Sequence, residues 1–304
     1  MSDRIQLGEE LPPPNQPDVT EPTATTTSPT VPPKMPMISP TGFFSGFQIK
    51  YPEYEVITPQ TLGSFTIRTL RVDEEEAMKA SLVTPRKLPE HLNKVLWESL
   101  ETKPEHIATM DNFLDSVTLK DREALMYGLF HITYKDDHNY NIGCPKCEYN
   151  YPVTINISST FSSSVWEGGE FEILSKRIPI VLPNVNNVTA IIKQPTLRDE
   201  KNMMANPMFH SDKNMEVGIQ MLVIEKFLTE DEHGRPVEIT GADNIYRGYN
   251  GLPSADRKLI NKTYVDNFGK YGIDMNMEST CISCGHTHET NIDLVTQFFR
   301  SMYE

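Results

Sequence analysis

The sequence predicts an α+β fold built from an internally duplicated unit of helices and a strand hairpin, with a zinc-ribbon-like site joining the two halves. The first observation is that two C-x-x-C knuckles, 137 positions apart, contain every cysteine of the chain: Cys144, Cys147, Cys281 and Cys284. The second is a matching order of short motifs ahead of each knuckle. The third is the period-two apolar pattern that flanks both knuckles, which is typical of strands.

The matching motifs predict the duplication. Residues 69–74 read Thr-Leu-Arg-Val-Asp-Glu, and residues 196–200 read Thr-Leu-Arg-Asp-Glu. An Asp-Arg pair then precedes each knuckle, as Asp121-Arg122 in the first half and Asp256-Arg257 in the second. We therefore expect the two halves to superpose about a pseudo-two-fold axis that passes close to the shared site.

Composition divides the chain into three parts. Residues 1–41 form a Pro/Thr-rich segment that we predict to be a disordered tail, because ten of the 23 prolines lie within its first 40 residues and it has little apolar surface to bury. Residues 42–158 form the first half. Residues 159–304 contain a Ser/Gly-rich linker followed by the second half.

In the first half, alternation at Phe65 and Ile67 predicts a strand. Acidic residues 73–76 begin a helix, where they suit the positive end of its dipole. A second helix opens at Leu88-Pro89, and Thr118 with Asp121 has the spacing of a capping box. Alternating residues then predict strands on both sides of the first knuckle; they are Tyr140, Ile142, Val153, Ile155 and Ile157.

The second half repeats this order. Residues 190–192 predict a strand, and Thr196 begins a short helix. A longer helix is predicted from an apolar stripe of four residues: Val217, Met221, Ile224 and Leu228. The last helix begins near residues 252–256 and stops at Gly269, before strands on both sides of the second knuckle.

The four cysteines have the count and spacing of a tetrahedral structural zinc site, with all four thiolates as ligands. A redox dithiol is disfavoured, because such a motif usually occurs once and at a helix start. A catalytic zinc is disfavoured too, since four cysteines fill its coordination shell. His286 and His288 follow the second knuckle, and either could replace a cysteine as ligand.

Composition disfavours several functions. The net charge is −14 and the pI is about 5.1, which argues against a broad surface for nucleic-acid phosphates. The N-terminus lacks a signal peptide pattern, and no apolar run approaches the roughly 20 residues needed to cross a bilayer. We therefore expect a soluble protein of a reducing compartment. The Asp-Arg pairs are interpreted as helix-start charges, with Asp on the dipole and Arg paired across the halves.

No catalytic signature accompanies these features. The sequence contains no phosphate-binding loop, dinucleotide fingerprint, nucleophile elbow or H-E-x-x-H motif. We find no candidate active site and expect no enzymatic activity.

The motif order resembles one family, the T4-type bacteriophage baseplate hub and hub-assembly proteins of contractile-tailed phages. The resemblance spans roughly residues 42–304 and rests on segments in sequence order: Tyr51-Pro52-Glu53, residues 69–75, Asp121 to Leu125, the first knuckle, Asp256-Arg257, the second knuckle, residues 292–294 and Phe298-Phe299. It implies a non-enzymatic role in the central baseplate, through contacts with other tail proteins, in the virion or in the host cytoplasm during assembly. Homo-oligomerisation stays open. Only the cysteines carry over, as zinc ligands.

Two other classes compete with this interpretation. A zinc-ribbon regulator that binds nucleic acid is the main alternative, but Glu148, Glu278, Glu289 and Asp293 flank the knuckles where basic and aromatic residues would be needed. A metal-dependent or thiol enzyme is disfavoured by the filled metal shell.

Overall fold

The computed structural model describes residues 51–81, 85–134 and 137–292, which form an α+β fold of helices and small antiparallel sheets. The helices are α1 (Val72–Ser81), α2 (Leu88–Ser99), α3 (Met110–Ser116), α4 (Leu119–Thr133), α5 (Ile157–Thr160), α6 (Leu197–Ala205), α7 (Asp212–Met221), α8 (Ala242–Gly251) and α9 (Ser254–Tyr264). The tail predicted for residues 1–41 lies outside the described residues.

The strands are β1 (Glu53–Ile57), β2 (Ser64–Arg68), β3 (Leu100–Thr102), β4 (Asp137–Gly143), β5 (Asn150–Asn156), β6 (Ser162–Ser164), β7 (Ile178–Val181), β8 (Thr189–Ile192), β9 (Ile224–Glu230), β10 (Pro236–Ile239), β11 (Gly272–Asp274), β12 (Asn276–Thr280) and β13 (Thr287–Asn291). We use "first half" for residues 51–158, "connector" for residues 159–177 and "second half" for residues 178–292.

The first half begins with a three-stranded sheet in the order β1-β2-β3. The predicted strand around Phe65 and Ile67 is confirmed, and both side chains are fully buried beneath helices. Helix α4 lies close against β1, because a Cβ atom added at Gly128 would stand only 2.4 Å from the side chain of Val56. Glycine at this position therefore permits the close helix–strand packing.

The second half begins with a four-stranded sheet in the order β10-β9-β8-β7. Here the predicted long helix through Leu228 is wrong, because α7 ends at Met221 and residues 224–230 form β9. Ile224 and Phe227 are buried in this strand, which pairs with β8. Ile224 and Leu228 are four positions apart, a spacing that fits either period over so short a run, and pairing with a neighbouring strand decides the outcome.

Both knuckles lie at hairpin tips, as predicted. The first joins β4 to β5, and the second joins β12 to β13. Ile157 is an exception, because it begins the short helix α5 instead of extending β5. Part of the predicted linker is also ordered as a strand, since β6 pairs with β11.

Helix starts follow the predicted capping chemistry. Thr118 and Asp121 form a capping box at α4, and Thr196 and Asp199 form another at α6. The last helix, α9, continues into a π-helical turn, Val265–Gly269, before the chain reaches β11. The polar residues identified as start signals therefore satisfy the free N–H groups of these helices.

The two halves present their elements in the same order. Each has a hairpin, a helix, a 3₁₀ turn, a second helix, a strand that pairs with the hairpin, two further helices and a knuckle hairpin. The β2–β3 register shifts between Thr66 and Ile67, and the β8–β9 register shifts between Ile191 and Ile192. The second half adds β10 and β11 to this series.

Two buried apolar clusters fill the described structure, and they divide along the same boundary. One consists mainly of first-half residues but includes Leu197, Cys281 and Ile292, whereas the buried residues of the other come from the second half and from Ile173 of the connector. Leu119 at the start of α4 packs against both. Within the residues described, no helix is long and apolar enough to cross a membrane.

Candidate metal centre

The four predicted ligands come together at one place. Cys144 and Cys147 lie at the tip of the β4–β5 hairpin, and Cys281 and Cys284 lie at the tip of the β12–β13 hairpin. All four sulfur atoms lie within 4.8 Å of one another, and none is in a disulfide. The fold therefore closes a separation of more than 130 residues into a single four-thiol cluster.

The sulfur spacing fits a tetrahedral metal. Cys144 Sγ lies 3.7 Å from Cys284 Sγ, and Cys147 Sγ lies 3.7 Å from Cys281 Sγ. Ligands about 2.3 Å from a zinc ion in a regular tetrahedron stand about 3.8 Å apart. Both distances also exceed by far the roughly 2.0 Å of a disulfide bond, so the cluster has the dimensions of a metal shell.

The two knuckles share one backbone design. Cys144 N–H donates to Tyr149 O, and Cys281 N–H donates to His286 O at the corresponding place. The residue after each knuckle has a left-handed backbone, with φ of 58° at Glu148 and 66° at Gly285. The same turn in both knuckles accompanies the convergence of the four sulfur atoms.

The first cysteine of each knuckle is buried, since Cys144 and Cys281 are 2% and 1% accessible. The second cysteine, Cys147 or Cys284, is exposed. Desolvation raises the pKa of the Cys144 thiol, but hydrogen bonds with the backbone N–H groups of Cys147 and Lys146 and with the neighbouring thiols lower it to about 6. The backbone N–H of Tyr149 lowers the pKa of Cys147, but desolvation and the hydrogen bonds with the other three thiols raise it to about 12. Because thiolates are the form that binds metals, Cys144 is the thiol of this pair that is prepared for metal binding, and Cys147 must lose its proton as the metal binds.

The neighbouring histidines lie outside the cluster of ligand atoms. Among the described residues, the ligand set that forms around this point contains cysteines alone. His286 and His288 instead stack on each other with ring centroids 5.9 Å apart, and His288 meets the ring of Tyr151 edge-on. Tyr151 also hydrogen bonds to Ser279 across the two knuckle hairpins, with oxygen atoms 2.7 Å apart.

The two Asp-Arg pairs occupy the first turns of α4 and α9, as predicted. Their aspartates also accept hydrogen bonds from residues of distant loops. Asp121 is fully buried and accepts hydrogen bonds from Gln60 N–H at 2.8 Å and from the Thr61 hydroxyl at 2.8 Å. Desolvation raises its pKa, although the hydrogen bonds from Gln60, Thr61 and Thr118 lower it. Asp256, also fully buried, accepts from the side-chain amide of Asn184 at 2.8 Å.

The arginines of the pairs behave differently from each other. Arg122 pairs with Glu200 across the two halves, with one N–O distance of 2.9 Å, as the sequence predicted. Arg257 instead lies over the ring of Tyr249 in its own half, 5.8 Å from the centroid. The predicted cross-pairing therefore holds for the first arginine, and the second has an aromatic contact.

Sequence reasoning missed the loops that these aspartates hold. We call residues 58–63, between β1 and β2, the first hairpin loop, and residues 182–188, between β7 and β8, the second hairpin loop. Gln60 is the main residue overlooked, since its side-chain amide donates to the carbonyl groups of Phe268 and Tyr271 at 2.9 and 3.2 Å. A Pro followed by an amide residue at both places, Pro59-Gln60 and Pro183-Asn184, is the signal that could have revealed them.

Comparison with known families identifies the class of protein. Residues 51–300 match the family model described as T4 bacteriophage base plate protein. The match covers most of the chain, so this protein belongs to that family. Searches of curated proteins and of solved structures give no match.

Proposed function

We propose that this protein is a non-enzymatic structural or assembly component of the central baseplate hub of a contractile phage tail, stabilised by a structural zinc ion. The observation that carries the proposal is the family match over residues 51–300. Its partners are other tail proteins, and its place is the tail baseplate of the virion or the cytoplasm of the host during assembly.

The zinc part of the proposal rests on the dimensions of the thiol cluster. Cys144, Cys147, Cys281 and Cys284 would supply four thiolates, and a bound zinc ion would contribute to folding by joining the two knuckle hairpins. Since four protein ligands leave no open position for a substrate or a reactive water, such a site has a structural role.

We further propose that the two halves are copies of one unit. Beyond the shared order of elements, each hairpin loop is closed by a bond from its first residue to its last: Thr58 N–H donates to Gly63 O, and Leu182 N–H donates to Val188 O. Each loop is held by the aspartate of an Asp-Arg pair. The cysteine contacts are also consistent with a local two-fold axis. If the first knuckle is superposed on the second, Cys144 takes the place of Cys281 and Cys147 that of Cys284, so the Cys144–Cys284 contact becomes the Cys281–Cys147 contact.

The main alternative, a nucleic-acid-binding zinc ribbon, receives less support. The exposed residues beside the cluster include Glu148, Glu278 and Glu289, which repel phosphate groups. Nucleic-acid surfaces need clustered Lys and Arg instead.

Deletion of the gene tests the baseplate role. A phage lacking this protein should fill infected cells with capsids and with baseplates that lack a hub, as seen by negative-stain electron microscopy, and a plasmid copy should restore tails. Normal tails from the deletion phage would refute the role. Elemental analysis of the purified protein separately tests the metal, with one zinc per chain expected.

A further inference from the structure

Four side chains form a layer next to the thiol cluster, two from each knuckle hairpin. Strand pairing places Tyr151 opposite Ile142 in the first hairpin. It places His288 opposite Ser279 in the second hairpin. Ile142 and Ser279 each stand two positions before the first cysteine of their knuckle. The 137-residue offset between the knuckles relates these two residues to each other, and it also relates Tyr151 to His288. We call the four residues the support layer.

A buried hydrogen bond joins the two hairpins within the support layer. Tyr151 Oη and Ser279 Oγ lie 2.7 Å apart, and the two residues are 1% and 7% accessible. The corresponding pair, His288 and Ile142, cannot form such a bond because isoleucine has no polar side-chain atom. Within the described part of the chain, neither ring nitrogen of His288 has a hydrogen-bond partner. The two sides of the layer therefore differ, and the hydroxyl groups of Tyr151 and Ser279 are matched to each other.

This bond restricts how the two hairpins can sit against each other. Apolar side chains also hold the second hairpin, since Met277 and Ile292 pack against the cluster of the first half. Such packing has no direction, whereas a hydrogen bond weakens steeply with distance and angle. A shifted arrangement would leave two buried hydroxyl groups without partners, which is unfavourable. The bond thus favours the one arrangement in which both cross-half pairs of sulfur atoms stand 3.7 Å apart.

We propose that Tyr151 and Ser279 are positioning residues of the four-thiol site, and that their hydrogen bond sets the two knuckles at the spacing a metal requires before the metal binds. The inference rests on the structural-zinc part of the proposed function and deepens it. A preset arrangement lowers the entropic cost of bringing together ligands from two distant parts of the chain. Zinc affinity should therefore depend on the two hydroxyl groups, although neither belongs to the thiol cluster.

The zinc affinity of the full chain, measured by competition with a chromophoric chelator, tests this role. Tyr151→Phe and Ser279→Ala each remove one hydroxyl and should weaken zinc binding about tenfold, as for other residues that orient metal ligands. The double variant should bind no more weakly than either single variant, because all three lack the same bond. Thr280→Val is the matched control, since it removes a hydroxyl that bonds to Thr287 at 3.0 Å within the second hairpin, and it should leave the affinity unchanged.

A measurement without metal separates the positioning role from zinc binding. A chain with Cys147→Ser and Cys281→Ser keeps one thiol in each knuckle, and these two sulfur atoms lie 3.7 Å apart in the unmodified chain. With a chelator present, diamide should oxidise the two thiols to a disulfide and is itself reduced to the hydrazine. Adding Tyr151→Phe should slow this cross-link, whereas adding Thr280→Val should not.

Two results would overturn the proposal. One is a zinc affinity of Tyr151→Phe and Ser279→Ala equal to that of the unmodified chain, even if the metal-free variants melt at a lower temperature, because the bond would then stabilise the fold without positioning the thiols. The other is a cross-link that forms at the same rate with and without Tyr151→Phe. An unmodified chain that binds no zinc would refute the zinc part of the proposed function, and the cross-linking rates would still decide the positioning role.

Discussion

Under the proposed duplication Asp121 and Asp256 hold corresponding loops, yet among the described residues the first carboxylate has hydrogen-bond donors at both oxygen atoms and the second has them at one. Asp121 Oδ2 accepts from the Thr61 hydroxyl at 2.8 Å and from Thr118 N–H at 3.5 Å. Asp256 Oδ2 is buried, and no residue in the described part of the chain donates a hydrogen bond to it. The corresponding positions in the second half hold a valine and a proline, Val185 and Pro253, neither of which can donate these bonds.

The difference shows how a buried anchor can persist while its surroundings change. The hydrogen bond to the third loop residue, Gln60 or Asn184, is present in both halves and fixes the loop. The additional bonds occur only in the first half, whose loop is packed inside the protein. A desolvated oxygen without a donor costs about 1–3 kcal/mol, so the second anchor should be the weaker one.

The largest expected loss of stability comes from replacing a metal ligand. Each half supplies two of the four cysteines, so the loss should be the same for a ligand from either half. Cys144→Ser and Cys281→Ser should each lower zinc below one equivalent and reduce the melting temperature by roughly 10 °C or more, because structural zinc contributes strongly to folding. Lys146→Ser lies inside the same knuckle, keeps the four thiols and should change neither. A much smaller loss for one of the two cysteine variants would contradict the equal contribution.

The second largest loss of stability is expected from replacing the two buried aspartates, and its size should differ between them. Asp121→Asn should lower the free energy of unfolding by about 3 kcal/mol, because one side-chain atom then presents N–H groups to donors. Asp256→Asn should cost about 1 kcal/mol or less, since its amide nitrogen can occupy the place of the oxygen that lacks a donor. Urea unfolding of both variants measures the difference, and equal losses would show that the two anchors are energetically alike.

The third expected effect is a gain in the free energy of unfolding. Val185→Thr places a hydroxyl where Thr61 has one in the first half, so it should bond to Asp256 Oδ2 and raise the free energy of unfolding by about 1 kcal/mol. Val188→Thr makes the same chemical change in the same loop but away from the anchor, and we expect no gain from it. Thermal and urea unfolding test the pair, and a loss of stability in Val185→Thr would mean that the oxygen is satisfied in another way.

The smallest effect concerns the left-handed residue next to the end of each loop. It is Leu62 in the first loop, with φ of 60°, and Asn187 in the second, with φ of 54°. Asparagine and glycine tolerate this conformation better than leucine, and Asn187 also donates to Glu230 at 3.0 Å, so Asn187→Leu should cost about 1 kcal/mol more than Asn187→Gly, which loses the same hydrogen bond. If urea unfolding gives the same value for both variants, the backbone conformation is not the cause.

The sequence was most informative where a local pattern determines the structure. The knuckles, the capping residues Thr118 and Thr196 and the strands beside each knuckle are confirmed, since each depends on neighbours within a few positions. It was least informative at β9, where the spacing of Ile224 and Leu228 fits two periods and pairing with β8 decided between them. The contacts of Gln60 could not be predicted either, because its partners lie 208 and 211 residues away.

The separation between the knuckles also has a consequence for synthesis of the chain. At about 5–20 residues per second, the ribosome takes roughly 7–27 seconds to make the 137 residues between Cys144 and Cys281. During that interval the first knuckle has only two of its four thiols available and can hold a metal only weakly. Tight metal capture is therefore expected only after residues 281–284 have left the ribosome, well after the first half has been made.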